Sequence, residues 1–182
     1  IWGFAFVAQR IGMDYVGPFT YNGVRFALGS LSLIPLIMFT RKNDTFENSI
    51  KLKPGKLIIF GGVTGLALFM GASLQQVGLV YTTAGKAGFI TGLYVVIVPI
   101  LWLFRGRKSG SSTWVGAILA AAGLYLLSVT GDFTIQFGDL LEIIGAFFWA
   151  VHILLIDHFS KRINPIILSM IQFAFCSVLS LI

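Results

Sequence analysis

Seven apolar runs separated by short polar breaks make up most of this 182-residue chain. They cover residues 1–11 and about 18–39, 57–80, 84–104, 113–130, 138–157 and 165–182. A helix needs about 20 apolar residues to cross the hydrocarbon core of a bilayer. The pattern therefore predicts an all-α, polytopic membrane bundle of seven helices, the first of them shortened. Pro18 and Pro165 fall at first-turn positions, where the missing N–H costs nothing. Pro35 and Pro99 fall late in their runs and are expected to bend or end those helices. Segment 40–56 is the only sizeable polar stretch and reads as a linker, not a domain.

The pattern repeats. Sliding residues 149–182 under residues 2–35 without a gap puts Trp149 under Trp2, Pro165 under Pro18, Phe173-Ala174 under Phe26-Ala27 and Ser177 under Ser30. Each window is an apolar run, a polar break ending just before Pro, and a second apolar run. A unit containing an odd number of membrane helices must enter the membrane upside down relative to its copy, an arrangement common in secondary transporters. On this reading residues 1–130 are a five-helix repeat whose first helix is truncated, and residues 138–182 begin a second repeat. Because the chain opens and closes inside apolar runs, it reads as a piece of a protein of roughly 290 residues, twice the repeat period.

Composition supports the bilayer as solvent. The chain is 57% hydrophobic and 11% charged, against about 25% charged for an ordinary soluble domain. The net charge of +6 does not point to nucleic acid, because the basic residues sit in short loops. Arg41, Lys42, Lys51, Lys53 and Lys56 follow the second run, Arg105, Arg107 and Lys108 the fourth, and Lys161 and Arg162 the sixth. These ten lie on one side of the membrane, which positive-inside reasoning makes cytoplasmic, together with the N-terminus. Asp132 and Asp139 mark the opposite side. The sequon Asn43-Asp44-Thr45 then lies on the wrong face for glycosylation. The one cysteine, Cys176, has no partner for a disulfide. Gly61 with Gly65, Gly88 with Gly92, and Gly116 with Ala120 space small residues four apart, which lets helices approach closely. Packing within one subunit is the simpler reading; a homodimer interface is the other.

The stretch Tyr81-Thr82-Thr83-Ala84-Gly85-Lys86-Ala87-Gly88-Phe89-Ile90-Thr91, running on to Val98-Pro99, resembles the EamA-type drug/metabolite transporters. So do Trp2-Gly3-Phe4-Ala5-Phe6, the Arg25-Phe26 pair of the second helix, and Gly116-Ala117 with Gly123. The resemblance implies ten helices in two inverted five-helix repeats, both termini cytoplasmic, and carriage of small metabolites such as amino acids, nucleobases, sugars or drugs, often outward. The family has no short invariant signature, so the resemblance transfers no catalytic residue.

Ionisable groups at membrane depth cost roughly 2.5–3.5 kcal/mol on insertion scales and commonly face a cavity. Arg25, with Asn22 and Tyr21 one turn before it, either lines the pathway and meets an anionic group or snorkels to the outer interface. Lys86 either draws a substrate carboxylate to the outer mouth or marks a helix end. It lacks the Ser/Thr and upstream glycine of a phosphate loop, so no ATP site is visible. Gln75 and Gln76 can hold polar substrate groups or bridge helices, with Gln76 the candidate for the pathway. Tyr94 either lines a cavity or packs. Glu142, Trp149 and His152 lie along one stripe of the sixth helix. Glu142 and His152, about 15 Å apart along the axis, could relay protons without bonding directly; otherwise they are an interfacial acid and a core histidine. Trp2 matches Trp149 by the repeat, and both are candidate pocket lining. No residue set suggests a metal or a cofactor.

The expected function is secondary transport, with export of small metabolites such as amino acids by alternating access between the repeats, in the inner or plasma membrane. Protons are a possible coupling ion, and no enzymatic activity is expected. A passive channel or scaffold would need a continuous polar stripe or a large partner-binding loop. An intramembrane enzyme would need paired catalytic groups at depth.

Overall fold

The computed structural model describes residues 2–40, 53–106, 110–128 and 135–182. Of the basic loop residues, Lys53, Lys56, Arg105, Lys161 and Arg162 fall within it. Arg41, Lys42, Lys51, Arg107 and Lys108 lie outside the described residues, as do the sequon at Asn43 and Asp132.

Eight helices and no strand occur among the described residues. In chain order they are α1 (Trp2–Gly12), α2 (Pro18–Thr40), α3 (Pro54–Tyr81), α4 (Ala84–Gly92), α5 (Tyr94–Phe104), α6 (Ser111–Ser128), α7 (Phe137–Phe159) and α8 (Pro165–Leu181). Pro18, Pro54 and Pro165 each open a helix, where their fixed φ suits the first turn. The Asn164 side chain accepts from Ile166 N at 2.9 Å and caps α8. Four stretches are long and apolar enough to cross a membrane: Pro18–Thr40, Pro54–Tyr81, Ala84–Phe104 and Phe137–Phe159.

The structure refines three sequence readings. Both late prolines lie inside helices that continue beyond them, so neither ends its helix. The fourth span is instead interrupted at Leu93, directly after Gly92, where helix propensity is weakest. There Leu93 N bonds back to Ile90 O in a tight i→i−3 turn. Asp139 is not a loop residue. It lies in the first turn of α7, where its carboxylate accepts from Gln136 N at 2.9 Å and closes a capping box.

The exposed surface carries many large apolar side chains, and polar side chains share the interior with an apolar core. Leu28, Phe39, Ile118, Leu119 and Leu126 are exposed, whereas Asn22, Thr64, Gln75, Gln76, Thr91, Glu142 and Gln172 are buried. This is the partition expected when the solvent is hydrocarbon and polar groups must be satisfied internally.

Helices α2 and α8 cross antiparallel, and their contacts are reciprocal. Ser30 Oγ donates to Met170 O at 2.9 Å, and Ser177 Oγ donates to Gly23 O at 2.8 Å. Adding 147 to each residue of α2, and subtracting it from each residue of α8, turns one bond into the other. Phe26 and Phe173, themselves a repeat pair, pack ring to ring with centroids 5.6 Å apart. A pseudo-two-fold axis therefore passes between Phe26 and Phe173, perpendicular to the helices.

Glycine-lined seams hold α3 against its neighbours. A Cβ on Gly138 of α7 would lie 2.6 Å from Gly78 O of α3, and one on Gly145 would lie 3.4 Å from Gly71 O. The two backbones are in near contact. Gly61 and Gly65 of α3 likewise face Ile171, Gln172 and Phe175 of α8. This is packing within one chain. Gly88 meets only Phe6, and Gly116 meets nothing within 4 Å among the described residues. The Phe60 and Phe159 rings stack at 4.4 Å. That contact brings the start of α3 and the end of α7 together, so Lys53 and Lys56 share one end of the bundle with Lys161 and Arg162.

Candidate substrate cavity

A cavity of about 630 Å³ opens between α1, α2, α3, α7 and α8. Ala5 and Gln9 of α1, Arg25, Phe26 and Gly29 of α2, and Leu68 and Gln75 of α3 form one wall. Trp149, His152, Ile153 and Ile156 of α7 and Ser169, Gln172 and Phe173 of α8 form the other. Four pairs of lining positions differ by the repeat period: Ala5 and His152, Gln9 and Ile156, Arg25 and Gln172, Phe26 and Phe173. The cavity therefore sits on the pseudo-two-fold axis.

Its polar groups are held from behind. Asn22 is fully buried and donates to Ala72 O of α3 at 3.1 Å. It also accepts from Arg25 Nη2 at 2.8 Å. The guanidinium lies 4.8 Å from the Phe26 ring centre and 5.7 Å from that of Tyr21, a cation–π seat that fixes its plane. On the facing wall His152 Nε2 donates to Gln172 Oε1 at 2.8 Å, and the Trp149 ring meets His152 edge to face at 5.9 Å. Among the described residues, Arg25 Nε, Trp149 Nε1 and Gln9 Oε1 have no hydrogen-bond partner. The lining offers one guanidinium and no carboxylate.

A second polar cluster lies toward the end of the bundle opposite Lys161 and Arg162. Glu142 is fully buried and its Oε2 accepts from Thr91 of α4 at 2.8 Å. Its Oε1 has no partner among the described residues and faces Gly78 of α3. One turn earlier Asp139 accepts from Thr82 Oγ1 and lies 3.6 Å from Lys86 Nζ. Arg10 of α1 donates to the carbonyls of Leu79 and Val80 at the end of α3, where a cation suits the helix dipole.

Of the pathway residues expected from sequence, Arg25, Trp149 and His152 meet in the cavity, with Asn22 directly behind Arg25. Gln75 lines the cavity, while its neighbour Gln76 is fully buried elsewhere, both side-chain polar atoms without partners among the described residues. Lys86 is paired with Asp139, and half-buried Tyr94 opens α5; neither lines the cavity. Trp2 belongs to α1, but its side chain lies outside the description. Glu142 and His152 share α7 but have different partners, Thr91 and Gln172, in different clusters. Sequence reasoning missed Gln9 and Gln172. Gln172 had a signal available, since it stands 147 residues after Arg25. Among the described residues no group of three His, Cys, Asp or Glu side chains could hold a metal.

The described residues thus form an apolar-surfaced helical bundle around a largely apolar cavity that holds Arg25, His152 and three glutamines. The chain belongs to the EamA-like transporter family, whose sequence profile matches residues 1–129. An uncharacterized transporter of Archaeoglobus fulgidus is 36% identical over 173 residues, covering 94% of this chain and 50% of that protein. The uncharacterized inner membrane transporter YedA of Escherichia coli is 27% identical, covering 82% of this chain and 47% of its own length. The uncharacterized transporter YvbV of Bacillus subtilis is 25% identical over the whole of this chain and 58% of its own. The chain thus spans about half the length of the curated relatives it matches. No solved structure matches it.

Proposed function

We propose that the full-length protein is a secondary transporter that exports small polar metabolites, amino acids foremost, by alternating access. Two inverted five-helix repeats, residues 1–130 and the unit beginning at residue 138, would rock about a substrate held in the axial cavity. The observation that carries this reading is the four lining pairs related by 147 residues. A site on the axis presents equivalent positions to both halves, so either half can open over it. The basic ends of α3 and α7 support a cytoplasmic N-terminus in a cell or inner membrane.

The test is uptake of labelled amino acids by the full-length protein in liposomes, with and without a pH gradient. Saturable flux is expected; its absence for amino acids, sugars and nucleobases alike would overturn the reading. A rise in flux with the gradient that Glu142→Gln removes would assign proton coupling to Glu142, with His152 the cavity-side member of the relay. Flux indifferent to the gradient would make the protein a facilitator.

A further inference from the structure

We infer that the cavity recognises its substrate through a carboxylate bound to Arg25, and that position 172 is the equivalent seat on the other side of the axis. The inference rests on the carrier reading of the cavity and adds the chemical class of what it holds.

Depth comes first. The axis relating α2 to α8 passes between Phe26 and Phe173. An axis that inverts membrane helices lies in the plane of the bilayer, near its middle. Arg25 is adjacent in sequence to Phe26, so its backbone is within about 1.5 Å of that level along the helix. A guanidinium starting there is not an interfacial residue reaching for headgroups. A charge at this depth is retained where it faces a partner or a cavity. Among the described residues no carboxylate pairs with it, and the cavity wall it belongs to contains none.

Geometry gives the partner. Asn22 takes one Nη2 proton, and the Phe26 ring fixes the plane from one side. Nε is buried and has no partner among the described residues, and Arg25 is part of the cavity wall. A planar guanidinium held at a cavity wall suits a carboxylate better than a neutral group. One cation also matches one negative charge. A phosphate dianion would need a second cation, which the lining does not supply. Around the guanidinium, Phe26, Phe173 and Trp149 leave an aromatic surround for the rest of the molecule.

The axis makes the idea testable by transplantation. Gln172 is the repeat mate of Arg25 and lines the same cavity. A charge removed at position 25 and restored at position 172 should serve the same ligand in a two-fold-related pose.

The experiment measures binding by the purified full-length protein in detergent, so that a failure of transport does not decide it. Titration calorimetry would compare shape-matched probes that differ in charge: phenylacetate with phenylacetamide, and lactate with lactamide. The wild-type protein should bind at least one acid about tenfold or more tightly than its amide. Arg25→Gln should abolish that preference, Arg25→Lys should keep part of it, and Arg25→Gln with Gln172→Arg should restore it. Each variant would be checked for a monodisperse, unshifted melting profile. Absence of any acid preference in the wild type, or a preference that survives Arg25→Gln, would overturn the inference. Should the double variant fail to fold, the comparison of Arg25→Gln with Arg25→Lys decides it alone.

Discussion

Arg25 and Glu142 illustrate two ways in which a charged residue becomes tolerable inside a membrane protein. Arg25 is lodged between Asn22, Tyr21 and Phe26 at the wall of a cavity. Glu142 is walled in by Thr91 and the bare backbone of Gly78. Removing the Thr91 hydroxyl leaves the Glu142 carboxyl without its described donor, and an unsatisfied buried polar group costs about 1–3 kcal/mol. Thr91→Val should therefore lower stability by about that amount, read from unfolding in mixed micelles. Thr91→Val with Glu142→Leu should recover most of the loss, because matched removal of both partners is nearly neutral. Both charged residues were legible in the sequence because charges inside apolar runs are rare. Gln9 carried no such signal, and Gln172 carried one only through its 147-residue offset from Arg25. Sequence reasoning favoured Gln76 for the pathway, whereas the turn of α3 sends Gln75 to the cavity and buries Gln76 away from it.

At the level of helices, glycine matters where two backbones meet and little elsewhere. A Cβ on Gly138 would lie 2.6–2.9 Å from Gly78 O, Tyr81 C and Thr82 N, atoms that cannot move aside singly. Gly138→Ala should force α3 and α7 apart and cost about 1–3 kcal/mol. Gly116→Ala, with open space around it, should be neutral or slightly stabilising through helix propensity. Equal melting temperatures for the two variants would refute the seam. The reciprocal hydrogen bonds make a second prediction. Ser30→Ala and Ser177→Ala should cost similar amounts, about 0.6 kcal/mol each on the scale of measured bonds between membrane helices. A several-fold inequality between them would count against the two-fold relation. The small-residue spacing was legible in the sequence, but its meaning was not. Gly61 and Gly65 meet a neighbouring helix and Gly116 meets nothing within 4 Å among the described residues, since spacing says that a backbone can be approached and not what approaches it.

For the whole molecule, the distribution of basic residues makes a direct prediction of orientation. In a full-length protein with Cys176→Ala, a cysteine placed at Gly17 should react with an impermeant maleimide from outside intact cells. One placed at Gly110 should react only after permeabilisation. Both positions are exposed, and a side chain there meets at most Ser112 Oγ at 3.7 Å. The reverse pattern would invert the proposed topology.

The all-helical class, the approximate positions of the apolar runs and the 147-residue spacing were legible in the sequence itself. These properties are sums over many residues, and a hydrophobic run of membrane length has few alternatives. The interruption at Leu93 was not legible, because one glycine among apolar residues does not announce whether a helix will tolerate it. Only the tertiary structure decided which polar residues meet. Arg25 stands opposite Gln172, Glu142 reaches Thr91, and Lys86 is held by Asp139. Each is a pairing across helices, and the rotation of one helix against another depends on side-chain packing that no single run of sequence contains.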